Sequence, residues 1–194
     1  MNKLMGFYEL KDSKLPTVPW REYKGESLDD SILWTVRTAV YRGMDLNLPR
    51  LVGANALDAE KFAKGIVEKY GDNGMAIYYP YFLAEKSGTL NISSDRIVIE
   101  AVKEDLWNLV TDGYRDVTII IEDNNTTFVG DDTFVSEEEI GELKNYSATV
   151  KLMFRDDLLE GNSVQLEWSY AYQSDVNKNR VGERYLVFYE VRTV

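Results

Sequence analysis

Between Val164 and Tyr172 the side chains alternate with period two. Val164, Leu166, Trp168, Tyr170 and Tyr172 fall on one face, and Gln165, Glu167, Ser169 and Ala171 on the other. Such alternation commits the segment to a β-strand, because neighbouring side chains of a strand point to opposite faces of its sheet. The stretches SATVKLMFRD (147–156) and RYLVFYEVRTV (184–194) read the same way. Three such segments in succession predict an antiparallel meander. In the last one both faces are apolar or aromatic, Leu186 and Phe188 against Tyr185, Val187 and Tyr189, which predicts an inner strand or one covered by a helix.

A second pattern predicts helices over residues 27–70. Ser27 with Asp30 three residues on makes a capping-box-like start, and Gly43 a natural stop. At helical spacing Ile32, Val36, Ala39 and Val40 share one face, and Trp34, Arg37 and Tyr41 form a row on the other. Asn55 caps the next helix, in which Ala59, Phe62, Ala63, Ile66, Val67 and Tyr70 follow at i, i+3, i+4, i+7, i+8 and i+11 until Gly71 ends it. Two helices joined by a moderate loop predict an αα-hairpin.

Elsewhere the signals are shorter. Residues 1–26 read as an ordered arm: Phe7 and Leu10 in a short edge strand, Pro16 and Pro19 forcing an extended path, Trp20 as anchor. Residues 75–85 read as a strand, with Pro80 confining it to an edge or a bulge and KSG as the turn after it. TLNIS and RIVIEAV read as a hairpin, KEDLWNLVTDG as a short helix with Leu106, Leu109 and Val110 inward, and DVTIIIED as a strand with TFV returning. Ser136, followed by Glu137, Glu138 and Glu139, is a strong helix start. Together these predict one α+β domain of 194 residues. Its sheet is mainly antiparallel, and the helical hairpin and one or two short helices pack on one side. The subdivision is an arm over 1–26, the hairpin over 27–70 and a sheet-rich part over 75–194.

Composition narrows the chemistry. The chain has no histidine and no cysteine, so imidazole bases, thiol nucleophiles, disulfides and His or Cys zinc sites are excluded. No P-loop, GxGxxG or nucleophile elbow occurs, and no cofactor is expected. No apolar run reaches bilayer length and the N-terminus lacks a signal-peptide pattern, so the expected setting is cytoplasmic, without membrane contact. The net charge is −11: residues 1–100 carry −1 and residues 101–194 carry −10. That balance opposes direct nucleic-acid binding.

Three constellations are candidates for function. The Trp34–Arg37–Tyr41 row is made of residue types enriched at binding hot spots. Arg37, Arg42 and Arg50 make a local positive spot that suits an anion. The acidic segment from Glu122 to Glu142 has no Lys or Arg, and Asp123, Asp131 and Asp132 are its weak candidates for Mg²⁺ or Ca²⁺, although no spacing matches a known loop. Asp175, Asn177 and Asn179 copy the first ligands of an EF-hand, but Arg180 stands where glycine is required. The expectation is a non-catalytic cytoplasmic binding or protein-interaction module. Its partner would be a protein or a small anionic ligand, or a second copy whose acidic segment meets the arginine spot. The alternatives are a carboxylate-dependent enzyme, Mg²⁺- or Ca²⁺-assisted, acting on an anionic substrate, and an acidic nucleic-acid mimic.

Overall fold

A computed structural model describes all residues except Met44, Leu46, Trp107, Asn108, Val110, Thr111, Asp112 and Asn124. Among the described residues the strands form two antiparallel sheets. The smaller has the order β1 (Arg21–Glu22), β4 (Gly74–Pro80), β2 (Trp34–Val40), β3 (Arg50–Ala54). The larger has the order β10 (Arg180–Thr193), β9 (Val164–Ser174), β5 (Phe82–Ile92), β6 (Arg96–Lys103), β7 (Val117–Glu122), β8 (Asn125–Gly130). The α+β class with a mainly antiparallel arrangement holds, as do β9 and β10 as paired antiparallel strands.

The sheets face one another. Ala39, Met75, Ile77 and Tyr79 of the smaller pack on Ala171 and Val187 of the larger, and Leu4 and Phe7 of α1 (Lys3–Asp12) join them. Helix α2 (Ala56–Tyr70) covers the outer face of the smaller sheet through Ala59, Ala63 and Ile66. Helices α3 (Glu137–Met153) and α4 (Arg155–Leu159) cover the outer face of the larger through Leu143, Val150 and Leu158. Helix α2 and the pair α3–α4 therefore lie on opposite outer faces, not on one side.

The helical hairpin over 27–70 is replaced by β2, β3 and α2. Its second half stands: Asn55 accepts from the Asp58 N–H at 2.9 Å and caps α2. Its first half is a strand because β2 is buried on both faces. A doubly buried strand is a near-continuous apolar run, whose side chains satisfy a helical stripe and a strand equally. Trp34, Thr35, Val36, Thr38 and Val40 are strand-favouring types, and these decide the outcome. Ahead of β2 the chain turns instead, with Asp29 Oδ1 accepting from the Ser31 N–H at 2.8 Å.

Three further expectations change. Residues 3–12 form α1 rather than an edge strand around Phe7, capped by Asn2. The arm after it is extended and Trp20 is buried, its Nε1 donating to the Phe7 carbonyl at 3.0 Å. Residues 147–153 continue α3 instead of forming a strand: Leu143, Ser147 and Val150 are buried at helical spacing, whereas Leu152 is exposed. KSG lies inside β5, and the chain instead passes from one sheet to the other at Pro80–Phe82. Of the helix expected over 103–113, residues 107, 108 and 110–112, Val110 among them, lie outside the described residues; Leu106 and Leu109 are buried with Val102.

Candidate functional site

Strand alternation separates the residues that a helix would have aligned. Trp34 points at α2, packs edge-to-face on Tyr78 (5.4 Å between centroids) and donates from Nε1 to the Asp29 carbonyl at 2.8 Å. Arg37 points the opposite way, into the space between the sheets, and Tyr41 is exposed beyond the strand. The three form no continuous surface row. The three arginines do not form one exposed spot either. Arg50 lies across from Arg37 in the β2–β3 register but is exposed at the start of an edge strand, and Arg42 is exposed on the turn after β2.

Arg37 is instead the centre of an interior polar cluster. Its Nη2 donates to Glu190 Oε2 at 2.8 Å, and Lys3 Nζ lies 3.4 Å from the other oxygen of Glu190. Glu167 sits directly across the β9–β10 ladder from Glu190. Burial and the Glu190 charge push the Glu167 carboxyl up to about 7. Glu190 is desolvated too, but Arg37 and Lys3 outweigh that and hold it below the ordinary carboxylate value. Burial raises the Tyr79 and Tyr189 hydroxyls beside this pair. Two like charges facing each other in a dry space cannot both ionise at low cost, so one keeps its proton.

A pH dependence follows. Glu167 has an ordinary value of 4.5 when unfolded and about 7 when folded, so both states are protonated below pH 4.5 and the group then costs nothing. As pH rises through 4.5 to 7 the unfolded chain ionises first, and stability falls until the folded carboxyl also ionises. Glu167→Gln is therefore expected to match wild type near pH 4.5 and to exceed it at pH 8 by about 2 kcal/mol, after allowance for partial exposure. Urea unfolding across this range checks it; an offset independent of pH would contradict it.

A second network lies outside the larger sheet. Ser136 and Glu139 form a complete capping box at the start of α3. The same Glu139 carboxylate, buried, accepts from Lys86 Nζ at 2.9 Å and from Arg184. Desolvation alone would raise it, but Arg184, Lys86 and the Ser136 N–H hold it below its ordinary value. This network ties α3 to β5 and β10, and Arg184 Nε also lies 2.8 Å from Glu85 Oε1.

The acidic candidates do not converge. Asp123 sits in the turn after β7 with φ 52°, and Asp131 Oδ1 is taken by the Thr133 N–H and hydroxyl at 2.9 and 2.6 Å. Among the described residues no three carboxylates are grouped to hold a metal. Asp175 accepts from the N–H groups of Asn177 and Asn179, both at 2.8 Å, and shapes the β9–β10 hairpin loop. No described helix is long and apolar enough to cross a membrane.

Two concavities lie among the described residues away from these networks. One, of about 300 Å³, opens at the seam of the sheets between Val18, Tyr81, Phe82 and Tyr185. The larger, about 590 Å³, is a groove between α2 and β3. Its walls are Pro49, Leu51 and Ala54 on one side and Phe62, Ile66 and Tyr70 on the other, with Lys61 and Lys69 at the rim and Asp58 at one end. Alanines Ala59 and Ala63 pack α2 tightly on the sheet, which leaves the larger Phe62 and Tyr70 only partly covered. Gly65, in the middle of the helix, lines the groove, and a Cβ there would meet no atom within 4 Å. Sequence reasoning assigned Phe62 and Tyr70 to the core; the signal pointing to a groove was the unexplained Gly65.

No protein-family model matches the chain, and no curated protein matches it. Among solved structures the chain is similar to macrocyclase MdnC bound with precursor peptide MdnA from Microcystis aeruginosa MRC, at 8% identity and a TM-score of 0.43. The match covers 97% of this chain and 51% of that one, so the chain spans about half the length of the protein it matches.

Proposed function

We propose that this chain is a non-catalytic protein-interaction module whose docking surface is the α2–β3 groove, and that the groove takes an acidic segment bearing an apolar side chain. The observation that carries the reading is Gly65. A mid-helix glycine costs about 0.5–1 kcal/mol relative to alanine. Packing does not demand it, since the space above it is empty. What it does is keep the groove deep between Phe62, Ile66 and Tyr70. Apolar walls would receive a side chain, and Lys61 and Lys69 would meet its acidic flanks. The carboxylate-enzyme alternative needs a cleft at Arg37; neither concavity is lined by Arg37, Glu167 or Glu190.

Filling the groove separates binding from folding. Gly65→Leu is expected to stabilise the fold by about 0.5–1 kcal/mol, through helix propensity, while abolishing docking. The check is a fluorescence-anisotropy titration with labelled amphipathic peptides, acidic and basic versions in parallel. The acidic peptide should bind wild type, lose binding to Gly65→Leu, and weaken by about tenfold or more with Lys61→Glu/Lys69→Glu. Equal binding of the acidic peptide to all three proteins would overturn the assignment.

A further inference from the structure

Four sheet edges are exposed to pairing by another chain, and three are guarded. β1 is only two residues long. β10 is bridged by the arm: Phe188 N–H donates to the Pro16 carbonyl at 2.8 Å, and its ladder with β9 contains two register shifts. β3 begins with Arg50, has a register shift, and holds Gly53 at φ 64°. These are the usual devices that blunt an edge. β8 has only one of them, Gly130 at φ 103° as its last residue. Its six residues, Asn125–Gly130, contain no charge and no proline, are all exposed, and pair with β7 in unbroken register from Glu122↔Asn125 to Val117↔Gly130.

The direction of its free groups is fixed. Asp131 N–H donates to the Asp116 carbonyl at 2.9 Å, so that carbonyl faces β8, while the Asp116 N–H donates to the Ala101 carbonyl of β6. Alternation along an antiparallel ladder then turns the backbone of Asn125, Thr127 and Val129 toward β7 and that of Thr126, Phe128 and Gly130 outward. Beside this open row, Phe128 and Val129 expose apolar side chains.

Charge selects the occupant. Exposed Asp123 and Glu122, the latter 3.7 Å from Arg96, stand at one end of β8, and exposed Asp131 and Asp132 at the other. A second β8 laid alongside would bring acids against acids at both ends, so self-pairing is opposed. A strand with basic residues at both ends meets attraction twice.

We propose that β8 accepts, as a seventh strand of the larger sheet, an extended segment of another protein that has a β-branched or apolar centre and Lys or Arg at both ends. Main-chain hydrogen bonds to Thr126 and Phe128 would supply affinity, and the acidic flanks specificity. This surface is separate from the α2–β3 groove and does not depend on it.

The test uses the full chain and two synthetic peptides, each with an alternating threonine–valine centre, one flanked by paired lysines and the other by paired glutamates. The lysine peptide should bind, protect the Thr126 and Phe128 amides from hydrogen exchange, and weaken by about tenfold or more between about 0.05 and 0.5 M salt. The glutamate peptide should bind about 100-fold more weakly. Thr126→Pro removes one outward N–H without touching the β7–β8 ladder, and should weaken the lysine peptide by about tenfold with unfolding unchanged. Glu122→Lys/Asp132→Lys should reverse the preference between the peptides. If the two peptides bind wild type equally, or if well-folded Thr126→Pro binds the lysine peptide as wild type does, the proposal is wrong.

Discussion

Replacing Arg37 with methionine is expected to cost about 3–5 kcal/mol of stability, because it leaves buried Glu190 without its guanidinium partner. The contact is short, 2.8 Å, and both side chains are nearly inaccessible, at 11% and 4% exposure. Lys3, at 3.4 Å, is the one cation left against Glu190 in the described ion pairs and is more exposed. The double variant Arg37→Met/Glu190→Leu should recover most of the loss, since a buried ion pair exchanged for packed apolar groups is often neutral. Urea midpoints of the wild type, the single and the double variants decide it. An equal loss in single and double variants would mean that Arg37 acts through packing, including its 5.5 Å contact with the Phe7 ring, and not as the partner of a carboxylate.

Gly88→Ala is the second large effect, at about 3 kcal/mol. Gly88 sits mid-strand in β5, where a Cβ would collide with the Glu100 carbonyl and lie 2.5 Å from Cζ2 of Trp168. The first neighbour is backbone in a continuous ladder, and the second is a fully buried ring in the largest core cluster, so neither gives way cheaply. The same residue type thus has opposite consequences at two positions: at Gly65 an added side chain meets empty space, at Gly88 it meets the sheet. Thermal unfolding together with near-ultraviolet circular dichroism of Trp168 checks the expectation. A loss below about 1 kcal/mol with an unchanged Trp168 signal would mean that the β5–β6 ladder adjusts freely, contrary to close packing.

How far the sequence could be read depended on whether one face of each element was solvated. α2, β7 and the capping box at Ser136 have a wet side or a strong cap, and β9, although covered on both faces, alternates polar with apolar residues, so their residues revealed them. β2 has no wet side, so its period was ambiguous and the strand was taken for a helix. Residues 147–153 alternate by accident of composition, and only their continuity with a capped helix settles their state. α1 is short and barely amphipathic; Gly6, needed because a Cβ would strike the Val191 carbonyl, also weakens its helical signal. The interior cluster was beyond reach, because it joins Lys3, Arg37, Glu167 and Glu190 across more than 180 residues through the pairing of two sheets. The groove was half visible: helical spacing put Phe62, Ile66 and Tyr70 on one stripe of α2, but no sequence signal placed β3 beside them.

The most direct test of the interaction-module reading is to map the acidic amphipathic peptide onto the protein by backbone amide chemical shifts. Perturbations confined to residues 50–54 and to α2 around Phe62, Gly65 and Lys69, absent in Gly65→Leu, are the expected result. Perturbations centred instead on Arg37, Glu167 and Glu190, or on the seam lined by Tyr81 and Tyr185, would contradict it.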